Sequence, residues 1–231
     1  MSVSEIGNVI NKIKKIADVP VIVDNCYGEF TDEIEPTDVG ADIIVGSLIK
    51  NPGGGLAPTG GYIAGKKDLI EKIAFRLTAP GIGMEVGSYA YGYQYFYQGF
   101  FLAPHTVEQA LKASALFSHV FSELGYRTLP EKNDKQNDII TSIQFNTKNE
   151  LIKFCQTIQT YSPVDSHVLP EPWDMPGYKH QVIMAAGAFV QGASIEMSAD
   201  APIKEPYIAY FQGALTYDCL LYTSDAADDK A

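Results

Sequence analysis

Arginine is almost missing from this 231-residue chain: there are two, Arg76 and Arg127. Basic residues number 17 against 28 acids, for a formal net charge of −11. Binding to a phosphate backbone needs clustered Lys and Arg, so a nucleic-acid partner is not expected. Long apolar runs are also lacking. The run at 182–190 is far too short to span a bilayer, so no membrane partner is expected. The three cysteines, Cys26, Cys155 and Cys219, are odd in number and widely spaced, with no CxxC. They read as reduced thiols of a cytoplasmic protein, not as a disulfide framework or a metal site, and no metal ligand set is expected. Residues 2–17 carry scattered lysines and no apolar h-region, unlike a secretory signal. No internal repeat is visible.

The remaining pattern is α/β. Ile6, Val9, Ile10, Ile13 and Ala17 recur at helical spacing. Residues 19–23 form a β-branched run that ends at Asp24, as a buried parallel strand would. Further strands are expected at 41–47 and 60–65, then a helix at 67–77. Residues 89–101 hold eight aromatics, read as core and dimer interface. Thr106 can cap a helix to Leu124, with Gln109 at the capping-box position and Gly125 as its stop. A smaller α+β piece follows, with strands at 138–145, 182–189 and 193–198 and a helix at 149–161. The division expected is 1–104, 105–218 and a tail, 219–231, which reads as non-native sequence.

Two residues stand out. Asp24 closes one predicted strand and Lys50 follows the next, 26 residues later. Ligands of open α/β sheets bind at the carboxyl edge of the strands. Alone, Asp24 reads as readily as a cap on the turn at 25–28, and Lys50 as an exposed loop lysine. Together they are the pair that pyridoxal 5'-phosphate requires: a lysine for the aldehyde and a carboxylate for the ring nitrogen. A partly desolvated lysine loses its proton more easily. The triple glycine at 53–55 matches neither GxxxxGK[ST] nor GxGxxG and is expected to leave room for a planar group. Ser47 has a hydroxyl that can reach the phosphate. Arg76 is either an anion contact or a helix C-terminal charge. His105 and His167 read as structural histidines. Glu171, Asp174 and Asp200 read as solvated loop acids.

The segments VDNCYGEF, GADIIVGSLIKNPGGGLAPTGGYIAG, RLTAPGIG, YQGFFLAPH, SPVDSH, EPWDMPGY and FVQGASIEMSADAPIKEPYIAYFQGALTY resemble the methionine gamma-lyase family, also labelled the aluminium resistance protein family. The resemblance runs from about Ile6 to Asp218. It implies a fold type I pyridoxal-phosphate enzyme: here, part of the large, mainly parallel-sheet domain followed by a smaller α+β domain. Lys50 would be the cofactor lysine and Asp24 the pyridinium partner. The implied reaction is carbon–sulfur elimination from a sulfur amino acid, giving thiol, ammonia and a 2-oxo acid, in a homo-oligomer. An aminotransferase, or an inactive fragment lacking half the cofactor site, is the alternative. Family members are close to twice as long, so the resemblance implies a fragment. The family pattern has arginine near position 204, where this chain has Lys204.

Overall fold

The computed structural model describes residues 1–221. Helix α1 (Val3–Ile16) starts with a reciprocal cap: the Glu5 amide donates to Ser2 Oγ at 3.3 Å, and the Ser2 amide donates to Glu5 Oε2 at 2.7 Å. Its apolar stripe buries Ile10 against Ala41 and Ile44. Strands β1 (Ile22–Asp24), β2 (Ile43–Ser47) and β3 (Gly61–Gly65) form one sheet in that order. β1 and β2 are parallel, with Asp24 in register with Val45, and β3 is antiparallel to β2. Asp42, just before β2, clamps this unit. It accepts from Lys14 Nζ (2.7 Å) and the Val21 amide (2.8 Å) and pairs with Lys66 Nζ (2.6 Å). The two lysines, and then the amide, hold its carboxyl well below the usual range.

A mainly parallel sheet is not what these residues form: one strand pair is parallel and the other antiparallel. Nor is β1 buried. It lies at the sheet edge, with Ile22 59% exposed, so its β-branched run has no layer on one side.

Helix α2 (Lys67–Leu77) matches its expected bounds. Helix α3 (Gln94–Glu123) begins twelve residues before Thr106, so the expected cap lies inside the helix, as does the expected boundary at 104/105. The helix runs through Pro104, which has no amide to donate to the Phe100 carbonyl, and the Thr106 hydroxyl donates to the Leu102 carbonyl at 3.3 Å. The aromatics ahead of Pro104 are mostly not core: Tyr91, Tyr97 and Phe101 are 86%, 75% and 82% exposed.

The second sheet is antiparallel, in the order β4 (Arg127–Leu129), β5 (Ile140–Phe145), β8 (Tyr207–Gln212), β7 (Ser198–Pro202), β6 (Val182–Ala185). Helices α3 and α4 (Lys148–Thr160) cover one face. There Phe117 stacks on Phe211 with centroids 3.7 Å apart, and Phe145, Leu151 and Phe154 complete the core. Strands β4 and β8 were not foreseen. The strand expected at 193–198 is instead a pair of turns leading into β7. Of the expected tail, residues 219–221 continue a helical turn and Leu220 packs on this core; 222–231 lie outside the described residues. Among the described residues no helix is long and apolar enough to cross a membrane.

Candidate active site

Because β1 and β2 run parallel, their carboxyl ends meet one edge of the sheet. Asp24 ends β1, Ser47 ends β2, and Lys50 follows on a tight turn, its amide donating to the Ser47 carbonyl at 3.3 Å. Asp24 does cap its turn: Oδ1 accepts from the Cys26 amide at 3.1 Å. That bond, and then the nearby charge of Lys50, hold its carboxyl below the ordinary range. The cap and the interaction with Lys50 therefore coexist in one side chain.

Lys50 is half-buried. Its Nζ donates to the Tyr27 phenol oxygen at 3.1 Å and lies 4.2 Å from the centroid of the same ring. Burial pulls this amine down. Tyr27, Cys26 and Asp24 together outweigh it, so the amine sits above its ordinary value. The expected loss of the proton through desolvation is thus reversed by the neighbours.

In front of Lys50 opens a cavity of about 190 Å³. It is lined by Tyr27 and Lys50 and, from the second sheet and the loop before β7, by Ser194, Ser198, Asp200 and Gln212. Larger hollows of about 510 and 570 Å³ lie elsewhere and do not include the lysine. Ser194 Oγ donates to the Tyr27 oxygen at 3.2 Å, tying the second sheet's loop to the lysine. That loop is braced by Glu196, 1% exposed, which accepts from the Phe189 and Val190 amides at 2.7 and 3.1 Å.

The glycine loop does not hold space open. A Cβ on Gly53 would stand 1.8 Å from the Leu48 carbonyl oxygen, and one on Gly99 2.1 Å from the Gly53 carbonyl oxygen. These glycines let α3 pack backbone-to-backbone beneath Lys50. Asn51 is fully buried there, its amide donating to the Glu29 carbonyl at 3.0 Å.

Asp24, Ser47 and Lys50 therefore share one edge. Arg76 does not join them: it is exposed in the last turn of α2, with no ion pair among the described residues. Lys204 is exposed between β7 and β8. Asp200, expected in a solvated loop, is half-buried on β7. Tyr27 was legible only as part of a turn. Ser194, 167 residues from Tyr27, gave no sequence signal.

An amine that lines a cavity and a carboxylate at the same strand edge, outside that lining, are the two kinds of group a pyridine aldehyde requires. Ser47, at the end of β2, places a hydroxyl-bearing residue at the same edge.

The model of the methionine gamma-lyase family matches residues 1–228. The uncharacterized protein YnbB of Bacillus subtilis (strain 168) is 54% identical over 216 residues, 93% of this chain and 51% of YnbB. The crystal structure of a carbon-sulfur lyase involved in aluminum resistance from Clostridium novyi NT is 56% identical, with a TM-score of 0.90 over 96% of this chain and 52% of that one. Yeast cystathionine gamma-lyase, 16% identical, shares the fold at a TM-score of 0.58 over 96% of this chain and 58% of that one. The chain thus spans about half the length of YnbB and of the Clostridium protein. It belongs to the methionine gamma-lyase family.

Proposed function

We propose that this chain carries the lysine and the acid of a pyridoxal-phosphate-dependent carbon–sulfur lyase acting on sulfur amino acids. The observation that carries the reading is the placement of Asp24 and Lys50 at the carboxyl edge of one parallel strand pair, with a cavity before the lysine. The name of the Clostridium relative supports it. The three-stranded sheet would then be part of a fold type I large domain, whose other strands the longer relatives supply.

The cofactor, when bound, supplies an electron sink for loss of a proton and then of a sulfur group from the substrate. Asp24, its carboxyl held low by the Cys26 amide, would pair with the ring nitrogen and favour its protonated form. Lys50 Nζ would hold the aldehyde and, when free of it, would serve as the base for the proton on the substrate α-carbon. Tyr27 holds Nζ over the cavity throughout, and Ser194 fixes the phenol. Ser47 Oγ would hydrogen-bond the phosphate.

The full-length protein carrying this chain, loaded with pyridoxal phosphate, tests the reading. Lys50→Ala loses the visible absorbance of the bound cofactor and the release of thiol and ammonia. Absorbance that survives without Lys50 overturns the assignment. Amino transfer without thiol release would make the enzyme an aminotransferase. We also propose that the exposed rings of Tyr91, Tyr97 and Phe101 are covered by a second copy of the protein in a homo-oligomer; sedimentation of a monomer would contradict this.

A further inference from the structure

Across the cavity from Lys50, the open face of the antiparallel sheet presents a wall of acceptors. Ser198 on β7 is in register with Gln212 on β8, which brings Asp200, two residues along β7, beside Gln212. Gln212 Nε2 donates to Asp200 Oδ2 at 2.8 Å. That bond uses an amide donor and leaves acceptors. Gln212 is 6% exposed, and its Oε1 is buried with no hydrogen-bond donor among the described residues. Asp200 Oδ1 makes no hydrogen bond among the described residues. Around them the wall is small or apolar: Met184, Ala185 and Gly192. Among the described residues Lys50 is the one cation lining the cavity. Burial holds the Asp200 carboxyl above its ordinary value, and Gln212 and the charge of Lys50 offset only part of this. In the working site the Lys50 amine is engaged at the cofactor, and the wall then lacks a cationic partner. A half-buried carboxylate in that position favours a ligand that brings a positive charge and N–H donors, and repels one that ends in a carboxylate.

We infer that Asp200, supported by Gln212, is the specificity-determining residue of the Lys50 cavity and selects sulfur amino acids whose side chain ends in an ammonium group. This rests on Lys50 being the cofactor lysine. A cavity of about 190 Å³ suits a short side chain of this kind.

Two nearly isosteric probes separate charge from shape: S-(2-aminoethyl)-L-cysteine and S-propyl-L-cysteine. Their affinities are measured by calorimetry on the full-length protein, with and without cofactor. The aminoethyl probe should bind at least about tenfold more tightly, the scale of a charge-assisted hydrogen bond. Asp200→Asn, and Asp200→Ser as a second variant, should each cut the ratio to about twofold or less; whichever variant folds decides. Equal affinities in the unmodified protein, or a preference that survives both substitutions, overturn the inference. A protein that takes up cofactor through Lys50 yet shows no preference overturns this inference alone. Cofactor colour that persists without Lys50 overturns the reading of Lys50 and, with it, this inference.

Discussion

Lys50 Nζ donates to the phenol oxygen of Tyr27 at 3.1 Å, and Tyr27 reaches that position with a φ of 74°. A non-glycine residue in this region carries local strain, held by its surroundings. Here those surroundings are the lysine on one side and Ser194 on the other. The strained turn after Asp24 therefore delivers two groups to one site: the acid at its start and the phenol three residues on.

Tyr27→Phe removes the oxygen and keeps the ring. Burial of Lys50 is then opposed by fewer groups, so the midpoint of its amine titration should fall. Isotope-labelled methylation of lysines, followed by NMR across pH, reads that midpoint directly. A midpoint that does not move would show that the phenol does not govern the amine.

Glu29 lies beneath the site, 4% exposed. Tyr62 donates to its Oε1 at 2.8 Å, and its Oε2 has no hydrogen-bond partner among the described residues. Burial pushes its carboxyl up from 4.5 to about 7. Between these values the folded protein binds a proton that the unfolded chain releases, so stability falls as pH rises through this window. The full cost is on the order of 3 kcal/mol above neutrality. Glu29→Gln should flatten that slope. Urea melts of both proteins from pH 5 to 8 compare the slopes, and parallel curves would contradict the burial argument.

Gly99→Ala should destabilise the protein by about 1–3 kcal/mol or more, although alanine is the better helix former. Its Cβ would press the Gly53 carbonyl oxygen, a backbone atom that cannot swing away. A thermal midpoint at or above that of the unmodified protein would show that the loop under Lys50 yields more easily than its packing implies.

What was legible in the sequence was local. Helix α2 and strand β3 are bounded by glycine and by clean periodicity, and they lie within a residue of their expected limits. The shared edge of Asp24 and Lys50 followed from two short apolar runs, each ending in a polar residue. Other features depended on contacts distant in sequence. Thr106 looks like a cap because Pro104 precedes it, but α3 continues past the proline, packed through Gly99 on the glycine loop. β8 is an apolar run without clear alternation, so neither helix nor strand period marks it; its pairing with β5 and β7 decides. Asp200 looks like a loop acid until β7 places it opposite Lys50. The triple glycine looks like open space, and only the course of α3 shows it is filled.

The most direct test of the central claim maps the cofactor to its lysine. Borohydride reduction of the pyridoxal-phosphate-loaded full-length protein, then proteolysis and mass spectrometry, should find the pyridoxyl group on the peptide containing Lys50. A pyridoxyl group on a different lysine, or none after reduction, would contradict it.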